Sequence, residues 1–221
     1  MIYDKKYWDY QKKIGDKPHH TRYINSKFSS KIRPSDVVLD FGCGGGYVLN
    51  SLDCKKKIGI EINPSAKKQA TKFGIQIHES LSEVHDNSLD VVISNSALEH
   101  IDSPRVVLSE FNRILKKNGK LMISVPHEDL SYAFEINDIN QHLFTWSPMS
   151  FGNLVQKSGF QINNVTIQKI IQPPFANVIY ATFGIIGYKI LGNAYRNIRK
   201  MLIPLKRVGV TGDIIVYATK I

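Results

Sequence analysis

A buried-type apolar run that ends in an acid and then in closely spaced glycines constrains this chain more than any other feature. Val37-Val38-Leu39-Asp40-Phe41 is followed at once by Gly42-Cys43-Gly44-Gly45-Gly46. A short apolar run bounded by glycine fits a strand covered on both faces. Glycine permits positive φ and lets a ligand approach the backbone, and a helix starting just beyond offers its first N–H groups to that ligand. The segment reads as a strand turning into a helix at a nucleotide-type cofactor, against the blander reading of an ordinary strand-to-helix turn.

A second acid sharpens this. Tyr47 to Leu52 suits the helix, and a second apolar strand, Lys57 to Ile60, ends in Glu61. That is close to the spacing of about 20 residues at which an acid holds a cofactor ribose. A carboxylate accepts two hydrogen bonds at once, matching the two hydroxyls of an unphosphorylated ribose. Dinucleotide sites use G-x-G-x-x-G, whereas this loop runs G-x-G-x-G with Asp40 just before it, so a pyrophosphate cradle fits poorly. A nicotinamide-dependent enzyme is therefore the disfavoured alternative.

Further strands are expected at Gly74 to His78, Leu89 to Ser94 and Lys120 to Val125, alternating with helical stretches as in a parallel sheet with right-handed crossovers. Thr21 to Lys31 can form a helix stopped by Pro34. Ser103-Pro104 reads as an N-cap with a first-turn proline, and Gly119 as the end of that helix. A helix over Ser147 to Ser158, a strand over Phe160 to Ile171 and a last strand over Asp213 to Ala218 complete the pattern.

The Asp40 to Gly46 loop resembles motif I of class I S-adenosylmethionine-dependent methyltransferases of the small-molecule type. Ser88 to Asn95 looks like that family's fourth strand, Leu98-Glu99-His100-Ile101 like the segment after it, and Glu110 to Gly119 like the helix and turn before strand five. The resemblance covers Val37 to Pro126, with a weaker echo from His142 to Phe160. It implies an α/β, Rossmann-like, seven-stranded mixed sheet with helices on both faces, closed by an antiparallel hairpin, here with a helical insertion of about 173–210 before the last strand. It also implies S-adenosyl-L-methionine as cofactor and S-adenosyl-L-homocysteine as product. Carried over position by position, Asp40, Gly42, Cys43, Gly44 and Gly46 face the methionine portion, Glu61 the ribose and Ile62 the adenine. Glu79 and Ser80 fall where the adenine edge is recognised, with a solvated loop acid as the competing reading. Asn95 ends strand four, toward the crevice where open α/β sheets bind ligands.

A chain of 221 residues, 43% hydrophobic, without linker or repeat, is expected to form one domain over 1–221. Residues 1–35 would be an N-terminal lid rich in Tyr3, Tyr7, Trp8 and Tyr10, or else a packed edge. Residues 36–126 would form the cofactor core and 127–221 the acceptor-side half. Two cysteines, Cys43 and Cys54, without C-x-x-C or zinc spacing suggest a reduced cytoplasmic setting and no metal dependence. The N-terminus lacks the apolar core of a secretory signal.

Net charge is +10 and uneven: from Ile139 to Gly212 there is no acid, while Lys157, Lys169, Lys189, Arg196, Arg199, Lys200, Lys206 and Arg207 supply eight positive charges. The uncharged run Phe175 to Tyr188 is too short to span a bilayer comfortably. With the basic residues after it, segment 175–207 is either a cap over the acceptor pocket, a dimer contact, or a peripheral contact with the inner face of an anionic membrane.

For a hydroxyl acceptor a neutral histidine is suited to take the proton. Of seven histidines, His142 and His100 are the best placed and His127 the third, each weighed against an orienting or packing role. The expected reaction is methyl transfer to oxygen or nitrogen of a small molecule, with a sugar or lipid-linked glycan intermediate preferred. An RNA methyltransferase and a non-catalytic S-adenosylmethionine-binding protein remain as alternatives.

Overall fold

The computed structural model describes residues 5–15, 17–128, 134–136, 138–168, 175–202 and 210–221. Seven strands form one sheet: β1 (Val37–Phe41), β2 (Lys56–Ile60), β3 (Gln76–His78), β4 (Leu89–Asn95), β5 (Leu115–Glu128), β6 (Phe160–Gln168) and β7 (Val210–Lys220). Their spatial order is β3-β2-β1-β4-β5-β7-β6. β1 pairs in parallel with β2 and β4, and β7 runs antiparallel to both β5 and β6.

Alternation along β1 explains the layering. Val38 and Leu39 are both buried but belong to different clusters. On the Leu39 side lie Leu108, Phe111 and Ile114 of α5 (Pro104–Ile114) and Phe151 and Val155 of α6 (Pro148–Lys157). On the Val38 side lie Ile24 and Phe28 of α2 (Pro18–Phe28), Leu49 of α3 (Tyr47–Ser51) and Ala70 of α4 (Pro64–Thr71). The spacing Leu108, Phe111, Ile114 puts one stripe of α5 on the sheet, each such side chain contributing roughly 1.5–3 kcal/mol. Helices therefore cover both faces. Outside these layers stand α1 (Lys5–Gly15) and α7 (Ala176–Leu202).

The chain order turns outward through β1, β2, β3 and then restarts at β4 on the other side of β1. That reversal leaves a crevice at the carboxyl ends of β1 and β4, where ligands of open α/β sheets bind.

Several boundaries differ from the sequence expectation. α5 ends at Ile114 rather than Gly119, because Leu115 is already extended (φ −70°, ψ 142°), fully buried and paired with Leu89 of β4. The Asn118-Gly119 turn, with Asn118 at φ 62°, lies inside β5 as an irregularity of the strand. Ser103 does sit at the N-cap before Pro104, but its side chain makes no capping bond. α2 starts at Pro18, three residues before Thr21, because proline fits the first turn, and it ends at Phe28 before a single 3-10 turn, Ser29–Lys31. The last strand is longer than Asp213 to Ala218. Tyr3, residues 169–171, Pro173, Lys206 and Arg207 lie outside the described residues.

Candidate cofactor and acceptor site

One cavity of about 760 Å³ opens over the carboxyl ends of β1, β2 and β4. The loop after β1 forms its floor. Gly46 adopts φ 75° at the N-cap of α3, and a Cβ there would meet Ile75 at 2.5 Å, so no other residue fits without repacking. Gly44, at φ 53°, is the opposite case: a Cβ there would meet nothing within 4 Å, because the backbone faces the open cavity. A ligand can therefore lie directly against this loop.

Glu61 braces the loop from the end of β2. Its Oε2 accepts the Gly44 N–H at 2.8 Å, and its Oε1 accepts those of Ile62 and Asn63, each at 2.8 Å. A carboxylate offers about four acceptor positions, so one remains on Oε2, beside the cavity. Asp40 is 5% exposed and lines the same cavity; burial, then the nearby Glu61 charge, push its carboxyl well above the usual range. A cation brought to this spot would restore its ionised form.

The remaining predicted residues are brought together unevenly. Ile62 lines the cavity and is 57% exposed, an apolar surface left uncovered by the protein. Cys43 lines it too, with a thiol pushed up by burial. Glu79 and Ser80 reach the rim, but the Glu79 carboxylate pairs with Lys67, and the Ser80 hydroxyl caps a 3-10 turn through the Ser82 N–H. Asn95 lines the cavity while its Oδ1 accepts from Lys27 and its Nδ2 donates to Ser96. From α1, Tyr7, Trp8, Tyr10 and Gln11 close one side, and Trp8 stands over Gly45.

The far side of the cavity holds an ionisable cluster. His142 Nδ1 bonds the Glu128 carboxylate, and its Nε2 lies 3.9 Å from Glu99 Oε1. His100 Nε2 lies 4.0 Å from the same oxygen, and the two imidazoles meet edge to face with centroids 4.9 Å apart. Glu99 is fully buried, and among the described residues neither carboxylate oxygen has a hydrogen-bond partner. Burial pushes its pKa up to about 8, while burial and then the His142 charge push that of His100 down to about 4. Ligand atoms of Glu99, His100 and His142 all lie within 4.8 Å of one another, so the trio could also hold a metal ion. His127 is not among the lining residues.

Glu99, Glu128, Lys27 and Asp213 were not foreseen as site residues. Lys27 Nζ donates to Asn95 Oδ1 (2.7 Å), Ser124 Oγ (2.9 Å) and Asp213 Oδ2 (2.8 Å), tying α2 to β4, β5 and β7 beneath the cavity. Burial lowers its pKa, opposed by Asp213. Within the Leu98-Glu99-His100 segment, an acid between an apolar residue and a histidine was the one available sign of Glu99.

Glu99 has a consequence for stability. Its folded-state pKa lies above its unfolded value of 4.5, so its stabilising effect is complete below pH 4.5 and is lost as pH rises toward about 8. Across that window each pH unit costs up to about 1.4 kcal/mol. Glu99→Gln, neutral at every pH, is expected to flatten the fall of melting temperature between pH 5 and 8; an unchanged slope would show that Glu99 is not held protonated.

The comparisons with known proteins agree with this geometry. A family model described as a methyltransferase domain matches residues 18–165. An uncharacterised methyltransferase of Schizosaccharomyces pombe is 33% identical over 202 residues, covering 77% of this chain and 76% of the relative. A ubiquinone biosynthesis O-methyltransferase of Pelagibacter ubique is 28% identical over 152 residues, covering 60% of this chain and 62% of that protein. Among solved structures, the methyltransferase in complex with the Haloferax volcanii Trm112 activator superposes with a TM-score of 0.68 at 17% identity, over 96% of this chain and 93% of that one. A Haemonchus contortus phosphoethanolamine N-methyltransferase with S-adenosyl-L-methionine gives 0.60 at 17% identity, over 90% and 51%.

The chain belongs to the class I S-adenosylmethionine-dependent methyltransferases, and its cofactor is S-adenosylmethionine. Its Rossmann-like seven-stranded mixed sheet is the one the sequence implied.

Proposed function

We propose that this methyltransferase acts on a hydroxyl oxygen of a small molecule, with His142 as the group that takes the hydroxyl proton. The observation that carries the reading is His142, which lines the cavity whose floor is the loop after β1 and bonds the Glu128 carboxylate. Bound there, S-adenosylmethionine supplies a methyl group on a positive sulfonium, so the protein's task is alignment and exclusion of water, which can contribute about 7–11 kcal/mol.

The residues fit that cofactor. Asp40 and the bare backbone at Gly44 would hold the positively charged methionine end, the free position on Glu61 the ribose, and Ile62 the adenine face. Glu79 and Ser80 would border the adenine edge, their side chains engaged by Lys67 and Ser82 and their N–H groups by Glu83 Oε1, and Asn95 would shape the crevice while bonded to Lys27. On the acceptor side, Glu128 fixes the His142 ring so that Nε2 points toward Glu99. His100, pushed down to about 4 by burial and then by the His142 charge, is a weak base and would border the acceptor.

The expected acceptor classes are a sugar or lipid-linked glycan and, in line with the ubiquinone biosynthesis O-methyltransferase relative, an isoprenoid-like small molecule. Two free cysteines support a cytoplasmic site of action. The test is release of S-adenosylhomocysteine with a panel of sugars, lipid-linked glycans, isoprenoid-like small molecules and RNA, with the methylated atom identified by mass spectrometry and NMR. An O-methyl small-molecule product is expected; methylated RNA or an N-methyl product overturns the reading.

Cofactor binding can be checked without an acceptor. Replacing Glu61 by Ala removes the ribose acceptor and, with it, the brace on the Gly44, Ile62 and Asn63 N–H groups, so affinity for S-adenosylhomocysteine should fall about ten- to a hundredfold. Calorimetry showing equal affinity would place the ribose elsewhere.

A further inference from the structure

We propose that the outward face of α7 docks this protein onto an anionic lipid surface, a conclusion independent of which acceptor is methylated. The helix bends at Gly184 (φ 62°, ψ −164°), so the part from Ile185 to Leu202 is taken by itself. At 100° per residue, Ile185, Tyr188, Gly192 and Tyr195 share one face. These four are buried or half-buried, which makes them the side turned to the protein. Ile186, Ile190, Ala194 and Ile198 recur every four residues on the other side with Leu191 beside them. That side is exposed: Ile186 71%, Ile190 61%, Leu191 40% and Ile198 54%. Upstream of the bend, Val178 and Phe183 are exposed in the same way. The helix thus turns an apolar stripe outward, the reverse of a surface helix of an isolated globular protein.

Charge decides what covers it. Lys189 is exposed in this helix, Arg196, Arg199 and Lys200 follow in sequence, and no acid occurs from Ile139 to Gly212. A second copy laid on this face would bring the same uncompensated positive charge against itself. RNA would match the charge but leave the isoleucines without a partner. A bilayer with anionic headgroups satisfies both, apolar side chains entering the interface while lysines and arginines meet the headgroups. No described helix is long and apolar enough to cross a membrane, which fits a helix lying in the interface plane.

The docking would serve the cavity. Arg22 of α2 lies over the Tyr180 ring of α7 at 5.7 Å, and Thr21, Tyr23, Ile24 and Lys27 of α2 line the cavity. No described residue of α7 lines the cavity itself.

The test is flotation of the full chain with vesicles of phosphatidylglycerol and phosphatidylcholine, with phosphatidylcholine vesicles as control. Binding to the anionic vesicles alone, weakening as salt rises, is expected. Ile186→Ser/Ile190→Ser and, separately, Lys189→Glu should each lower that binding, the pair by roughly tenfold or more, while S-adenosylhomocysteine affinity stays at the wild-type value and so reports an intact fold. The proposal is overturned by absence of vesicle binding, by variants that bind as wild type, by RNA binding without vesicle binding, or by a dimer in sedimentation that the paired substitution dissociates without vesicle binding.

Discussion

Lys27→Met is expected to destabilise the protein by about 3–5 kcal/mol, because it strands the Asp213 carboxylate, 4% exposed, without its cation. For a chain of 221 residues this corresponds to a fall in melting temperature of about 6–20 °C. The loss goes beyond one ion pair, since Ser124 Oγ and Asn95 Oδ1 lose the same donor at the base of the cavity. Replacing both charges, Lys27→Met with Asp213→Leu, should recover much of the stability, because the penalty belongs to the unpaired charge rather than to the missing bond. Calorimetric melting of the two single variants and the double variant measures this; a Lys27→Met protein that melts with wild type would mean that water already reaches Asp213.

The second large effect is on turnover. His142→Ala should lower kcat by about a hundred- to ten-thousandfold, the range that a positioned proton acceptor supplies, while leaving affinity for S-adenosylhomocysteine unchanged. Glu128→Gln keeps a partner for the ring and should cost less, since it alters only what orients His142. His100→Ala should have the smaller effect of a wall residue, as its imidazole is held neutral by burial and by the neighbouring His142. Steady-state kinetics with the acceptor found above decides the matter: turnover unaffected by His142→Ala would remove it from the reaction, and equal losses for the two histidines would mean that they act as one unit, as shared ligands of a cation do.

The half of the molecule around the cofactor was readable because its residues lie close together in sequence. The apolar run of β1, the glycines after it and Glu61 all fall between Val37 and Glu61, and each carries a local signal: a two-faced strand, a turn needing positive φ, an acid at a strand end. The acceptor half was less readable because it is assembled by contacts across the chain. Lys27 meets partners 68, 97 and 186 residues away, and nothing near it in sequence marks a lysine destined for the interior. Glu99 stands in a segment whose family resemblance was evident, yet its full burial follows from packing against β5 and against Leu143 and Phe144, whose N–H groups bond its backbone carbonyl. Glu128 and His142 are paired only because that loop returns.

Local rules also lost to tertiary ones at identifiable places. Gly119 is a fair helix stop by propensity, but burying Leu115 beside Leu89 ended α5 sooner. Ser80 is a polar residue at the cavity rim, but its hydroxyl serves a capping box with Glu83. In α7 the sequence showed an apolar run followed by basic charge; which side of the helix faces the protein could come only from its packing on α2.

The central claim is that one cavity aligns a sulfonium-bound methyl, held over the Gly44 backbone and Glu61, with a hydroxyl facing His142. A crystal structure with S-adenosylhomocysteine tests it most directly. One ribose hydroxyl should meet Glu61 Oε2, the amino-acid end should lie by Asp40, and the sulfur should face the His142 side of the cavity; a ligand with its adenine toward His142, or bound outside this cavity, would contradict the account.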